Sequence, residues 1–345
     1  MLRHSKLKLC LKFLPSGLGA ILLLASLLRA QPPAPGTGSA AASPQNKPRE
    51  YTINVDVNMV VVHATVLDKK GHMVNDLPEQ NFRLWEDGTL QKLAVFSHAD
   101  IPVTMGIVID DSGSMKEKRG AVNAAALTFV KTSNPQDQVF VVNFNDVYYQ
   151  DTPGDFAANM EELKSALDKI DSRGGTALYD AVYASLDHLK LGNRDKKVLL
   201  VISDGEDNSS RYTFDELLRY AQKSNAVIYT IGLLGDEEPG GYFKMKGRDR
   251  QAAKFLQTLA EATGGQAFSP KSLDETEQIC EQIARDIRNQ YTLAYYPSNT
   301  KKDGTFRALR VEATTSAKRQ LLTVRARPGY YAPKSDQPSP APPGN

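Results

Sequence analysis

The sequence is poor in residues that carry much of protein chemistry: of 345 residues, two are cysteine, five histidine and one tryptophan. Cys10 precedes the one long apolar run, too early for a lipid-bearing cysteine. Once a leader containing Cys10 is removed, Cys280 stands alone and no internal disulfide can form. A single cysteine in an oxidising compartment is expected to be buried. His4, His63, His72, His98 and His188 all stand apart in sequence from the polar turns described below, so a general base is hard to name. There is no G-x-S-x-G elbow and no G-x-x-x-x-G-K-[ST] loop.

Charge of one sign is also missing. Lys and Arg total 42 against 40 Asp and Glu. Five of the basic residues and no acid lie within residues 1–30, so the rest carries 37 basic against 40 acidic residues, a formal charge of −3. Nothing in that balance marks a nucleic-acid surface. Residues 1–30 read as a signal peptide: Arg3, Lys6, Lys8 and Lys12, then the apolar run Leu18–Leu28, then Ala30 for cleavage. The run is short for a span of roughly 20 residues, and no other segment is apolar enough to cross a membrane. Export to the periplasm, the cell surface or the medium is the expectation, with no membrane span after cleavage.

What is present alternates. Residues 31–49 are rich in Pro, Ala, Ser and Gly and read as a disordered spacer, as does the tail 333–345. Residues 50–100 read as about four strands: Tyr51–Asn58 running into Val60–Val66, a turn at Asp68–Gly71, Phe82–Glu86, a hairpin at Asp87-Gly88, and Gln91–Phe96. Four strands are few for a closed sandwich. Residues 290–332 add Gln290–Pro297, Thr305–Ala313 and Leu321–Arg327. The two ends are expected to build one β-sandwich with the middle inserted; two unrelated small sheets are the alternative.

Residues 101–289 change register. Strands are predicted at Val103–Ile109, Gln138–Phe144, Val147–Gln150, Lys197–Ser203, Ala226–Leu233 and Gln266–Ser269. Helices are predicted at Met115–Lys131, Ala158–Ile170, Leu178–Leu189, Phe214–Ser224, Arg250–Ala262 and Leu273–Asn289. Thr213…Glu216 and Ser272…Glu275 fit capping boxes. Uniformly apolar strands with helices between them mean an α/β fold: a doubly wound, mostly parallel sheet covered on both faces.

Three turns share a chemistry. Asp110-Asp-Ser-Gly-Ser114 follows the first strand of the middle. Gly174-Gly-Thr176 opens a helix, and Asp204 follows another strand. In a parallel sheet they lie on one edge. Asp110, Ser112, Ser114, Thr176 and Asp204 offer hard oxygens, with no His or Cys. Such a set suits Mg²⁺, Mn²⁺ or Ca²⁺ rather than zinc. Two carboxylates and three hydroxyls leave a hexacoordinate ion a place for a partner's acidic side chain. Each turn also has a plain structural reading: Ser114 with Glu117 is a capping box, Thr176 an N-cap, Asp204-Gly205 a turn pair. Asp111, Asp180 and Asp207 are read as supports behind the ligands or as solvated acids.

With those residues in place, the middle resembles a von Willebrand factor type A domain. Asp110-x-Ser112-x-Ser114 is similar to that family's first metal motif, Thr176 after two glycines to its threonine, and Asp204 before Gly205 to its second aspartate. The resemblance implies a doubly wound sheet with a metal-ion-dependent adhesion site on its upper edge. The whole chain, roughly 50–332, is also similar to a subgroup of exported bacterial proteins with this domain, best known from acidobacteria. Asp68-Lys-Lys-Gly71, Phe82–Gly88, Gln290–Pro297 and Arg327-Pro-Gly-Tyr-Tyr331 carry that likeness.

The expected function is therefore binding, through a divalent cation, of an acidic residue on a protein partner. Tyr242, Phe243 and Met245, in the long insertion 235–249 on the same edge, are candidate partner contacts. Two other readings are weighed. A structural part of an envelope assembly would bind through its β-rich ends. A metal-dependent hydrolase is disfavoured, because the strand-end motif lacks the second aspartate of a D-x-D pair and no base is near.

Overall fold

The computed structural model describes residues 59–234, 247–315 and 320–334. The signal sequence, the spacer, Tyr51–Asn58, the side chains Tyr242, Phe243 and Met245, and the tail beyond Lys334 lie outside those residues. No described helix is long and apolar enough to cross a membrane.

In chain order the strands begin with β1 (Val60–Leu67), β2 (Phe82–Glu86), β3 (Thr89–Gln91) and β4 (Leu93–Ser97). The central layer follows: β5 (Val103–Asp110), α1 (Arg119–Thr132), β6 (Gln138–Phe144), β7 (Tyr148–Gln150), α2 (Met160–Leu167) and α3 (Leu178–His188). It continues with β8 (Lys196–Ser203), α4 (Phe214–Lys223), β9 (Ala226–Gly232), α5 (Gly247–Thr263), β10 (Ala267–Phe268) and α6 (Glu275–Arg288). The chain closes with β11 (Tyr291–Tyr295), β12 (Phe306–Ala313), β13 (Thr323–Ala326) and β14 (Gly329–Tyr331).

The central sheet has the order β10-β9-β8-β5-β6-β7, parallel except for the antiparallel edge strand β7. All eight residues of β5 are buried, because helices cover both faces. Met105, Ile107 and Ile109 pack with α1, α2 and α6 on one face. Val108 packs with α3, α4 and α5 on the other. Each such full burial contributes roughly 1.5–3 kcal/mol, more than the ~1 kcal/mol that separates residues in strand propensity. Burial therefore decides that a run containing Met105 and Gly106 is a strand.

The two β-rich ends interleave. β1 pairs with β11 and β13, both from the far end of the chain, and β2 pairs with β12. The resulting antiparallel sheets, β13-β1-β11-β4 and β14-β12-β2-β3, share one core that includes Val62, Leu84, Leu293 and Tyr295. Neither end can form its sheet alone, so the expected single sandwich is found and not two unrelated sheets. Buried Glu86 in β2 accepts from the hydroxyls of Tyr295 (2.5 Å) and Tyr330 (2.8 Å), which ties the sheets together.

Some helix starts differ from the sequence reading. The first helix begins at Arg119, not Met115, after a 3-10 turn at Gly113–Met115 whose Met115 side chain is fully buried. The Ser114–Glu117 capping box does not form, because the Ser114 hydroxyl turns to another partner. The helix predicted at Ala158–Ile170 is only Met160–Leu167, capped by the Asn159 side chain at the Glu162 N–H. The Thr213–Glu216 box is complete. The Ser272–Glu275 box is not: the Glu275 carboxylate accepts from the Lys271 N–H instead. Cys280 is fully buried in α6, and burial pushes its thiol up to about 12, so it is unreactive at neutral pH.

Candidate metal centre

β5 and β8 are neighbours, with Ile109 opposite Ile202, so their next residues emerge side by side at the carboxyl edge of the sheet. Asp110 ends β5 and is fully buried. Its Oδ1 accepts the Ser112 N–H at 2.9 Å, and its Oδ2 accepts the Ser203 hydroxyl at 2.6 Å. The Ser203 Oγ accepts in turn from the Gly205 N–H at 2.9 Å. That small network holds both strand ends in one arrangement.

The turn then leads outward. Buried Ser112 places its Oγ 3.2 Å from that of exposed Ser114. Ser114 donates to Asp204 Oδ2 at 2.5 Å. Four of the five residues singled out in the sequence are thus brought together, running from the sheet interior to its rim. The 2.5 Å contact bridges two strand-end turns 90 residues apart in sequence.

Thr176 arrives by another route. The Gly113 N–H donates to the Gly174 carbonyl at 3.4 Å, which sets the glycine turn against the first turn. The Thr176 N–H donates to Asn208 Oδ1 at 2.8 Å, and its carbonyl accepts from the N–H groups of Asn208 and Ser209. Thr176 is buried, yet among the described residues its hydroxyl has no hydrogen-bond partner. It does not act as the N-cap of α3: that position is Ala177. The two glycines before it are closely surrounded. Gly174 has φ +74°, and a Cβ there would lie 2.0 Å from Asp146 Oδ2. A Cβ on Gly175 would lie 2.4 Å from Asn208 Oδ1.

Electrostatics set the site apart from its surroundings. Burial, and next the charge of Asp204, push the Asp110 carboxyl up to about 6. Neither Asp110 nor Asp204 makes a salt bridge among the described residues. By contrast Asp111, one residue on, pairs with buried Arg119 at 3.3 Å and accepts from the Asp171 N–H and the Ser172 hydroxyl. Asp111 is thus a support behind the turn. Asp180 accepts from the N–H groups of Arg211 and Tyr212, and Asp207 from the Tyr179 N–H and the Ser210 hydroxyl. These two fix the loop after β8 against α3.

Three contributors escaped the sequence reading: Ser203, Asp146 and Asn208. Asp146 accepts from the Gly175 N–H at 2.7 Å and so shapes the glycine turn. Ser203, next to Asp204, was legible as a hydroxyl at the same strand end. Asp146 and Asn208 carried no comparable signal, since their partners lie 29 and 32 residues away.

The von Willebrand factor type A domain profile matches residues 105–282, just over half the chain. The chain belongs to the von Willebrand factor type A family. Its type A domain is the central α/β layer. Among solved structures, a von Willebrand factor type A protein from Catenulispora acidiphila aligns over 81% of this chain and 74% of its own, at 15% identity and a TM-score of 0.46. The vWF domain of the type V pili tip protein Mfa5 from Porphyromonas gingivalis aligns over 55% of this chain and 96% of its own, at 13% identity and a TM-score of 0.44. An uncharacterised protein of Borreliella burgdorferi is 30% identical over 108 residues, 29% of this chain and 32% of the relative. The matched stretch spans about a third of that relative's length.

Proposed function

We propose that the type A domain is a cation-dependent protein-binding module of the cell envelope, exported by its signal peptide and non-enzymatic. In this reading Asp110, Ser112, Ser114, Thr176 and Asp204 hold one Mg²⁺, Mn²⁺ or Ca²⁺. The observation that carries it is the Ser112–Ser114–Asp204 hydrogen-bond chain abutting a buried Asp110 that no cationic side chain pairs. Two converging carboxylates repel each other, and a buried one without a countercharge is costly. The uncommitted Thr176 hydroxyl adds a further oxygen. The donor chemistry fits a hard cation and not a thiophilic one.

When bound, the divalent cation supplies a positive Lewis-acid position for a carboxylate of the partner. The protein's part is positional. Ser203 and the Ser112 N–H keep Asp110 aimed, Gly113 and Gly174 keep the two turns in register, and Arg119 holds Asp111 behind them. No histidine takes part in the hydrogen bonds of this cluster, and the Cys280 thiol is locked in the core. Both favour binding over turnover. That Mfa5 is a pili tip protein accords with a role outside the cell.

Affinity capture from envelope extract tests the proposal. Wild type in Mg²⁺ is expected to retain a partner that is lost in EDTA and lost in Asp110→Ala with cation present. Equal capture in Mg²⁺ and EDTA contradicts it.

A further inference from the structure

A second polar feature lies away from the metal centre, where the end of α4 meets the sandwich. A groove of about 470 Å³ opens there. Five cations line it: Lys223, Lys301, Lys302, Arg327 and Lys334. No Asp or Glu does, in a chain whose charges are nearly balanced. The rings of Tyr330 and Tyr331 complete the wall.

Three of the five cations are held in place by something other than a carboxylate. Lys223 Nζ lies 5.7 Å from the centre of the Tyr331 ring. The Lys334 stem crosses Gly304 so closely that a Cβ there would meet Lys334 Cγ at 2.6 Å. Arg327 lies 5.5 Å from the Tyr330 ring and donates to Asn225 Oδ1 at 3.1 Å, while its Nε–H is buried with no acceptor. The comparison with other arginines is informative. Arg119, Arg325 and Arg307, whose side chains are mostly buried, pair with Asp111, Asp286 and Asp303, although each also keeps an Nε–H without a hydrogen-bond acceptor. Among the described residues Arg327 has no such partner. A half-buried cation left without an anion gains from a ligand that supplies one.

We propose that this groove is an anion-binding site, independent of the metal centre, for a ligand carrying phosphate or carboxylate groups. The size suits a small molecule or the end of an anionic chain. Arg327 brings a guanidinium, a strong donor to either oxyanion, to the groove wall. The exposed lysines at 301 and 302 add long-range attraction at the rim.

Calorimetric titration of the full chain tests this, in chelator so that the metal centre takes no part. One arm uses inorganic phosphate and the other a trigalacturonate, whose carboxylates ride on sugar rings. Saturable binding of at least one probe is expected, and the arm that binds identifies the oxyanion. Arg327→Met should weaken it about tenfold or more, the value of one charge-assisted contact. Because Arg327 is partly buried, the exposed triple change Lys301→Ser, Lys302→Ser, Lys334→Ser serves as a second variant and should weaken binding comparably. Asp110→Ala should bind as wild type does. Failure of both probes to bind, or equal binding by wild type and the triple variant, overturns the proposal.

Discussion

Asp286→Ala is expected to cost about 3–5 kcal/mol of stability, the range for removing one partner of a buried ion pair. Asp286 lies in α6 and is buried. Its Oδ1 accepts the Thr65 hydroxyl of β1 at 2.8 Å. Its Oδ2 accepts the Tyr229 hydroxyl of β9 at 2.6 Å and pairs with Arg325 of β13. Gln290 closes the network, donating to Tyr229 and Thr65 at 3.2 and 3.3 Å. One carboxylate therefore joins the last helix of the type A domain, the central sheet and the sandwich. Burial, and next the Asp286 charge, raise the Tyr229 hydroxyl well above its ordinary range, so it stays a donor. Removing the carboxylate leaves Arg325 with the Gln266 side chain as its acceptor and takes the acceptor from the Tyr229 and Thr65 hydroxyls. Urea unfolding reads the loss. A change below about 1 kcal/mol, the scale of an exposed pair, would show that the network does not couple the two layers.

Asp110→Asn is expected to stabilise the cation-free protein at neutral pH by ~2–3 kcal/mol, following the rise of its carboxyl from 3.8 to about 6. A raised carboxyl pKa means that the folded state holds a proton that the unfolded state has already released. Between pH 4 and 6 the folded chain therefore binds more protons, and stability falls as pH rises through that window. In chelator, wild type should lose stability relative to the Asn variant from pH 4 to pH 6 and run parallel to it above. In saturating Mg²⁺ the order should reverse, because a bound cation requires the deprotonated carboxylate and its binding releases the proton. Denaturation midpoints of both proteins at pH 4, 6 and 7.5, with and without cation, give the comparison. Parallel curves across the whole range would show that Asp110 is not perturbed.

The same residues show what was legible in the sequence. β5, β8 and β9 read correctly because both their faces are buried, so an apolar run was signal enough. Two of the oxygen-bearing turns were legible because each follows a strand of one parallel sheet, and the third because its two glycines open a helix. Helix starts were less so. Ser114 and Ser272 both carry the S-x-x-E pattern, yet neither caps, since Ser114 is taken by Asp204 and Glu275 by the Lys271 N–H. A local pattern loses when a tertiary partner competes for the same atom. The interleaving of β1 with β11 and β13 was expected only from strand count, because pairing across more than 200 residues leaves no local trace. Asp146 and Asn208 left no local trace either, although their partners lie only 29 and 32 residues away. The missing carboxylate at Arg327 was hidden too: Arg325 and Arg327 read alike, and only the fold gives one of them an acidic partner.

Five side-chain oxygens on one sheet edge are proposed to hold a divalent cation. Crystals grown in Mn²⁺ and measured near the manganese absorption edge test it most directly. One strong anomalous peak bounded by Asp110, Ser112, Ser114, Thr176 and Asp204 is expected, absent from Asp110→Ala crystals grown alongside. A wild-type map with no peak among those atoms, or with the peak undiminished in the variant, would contradict it.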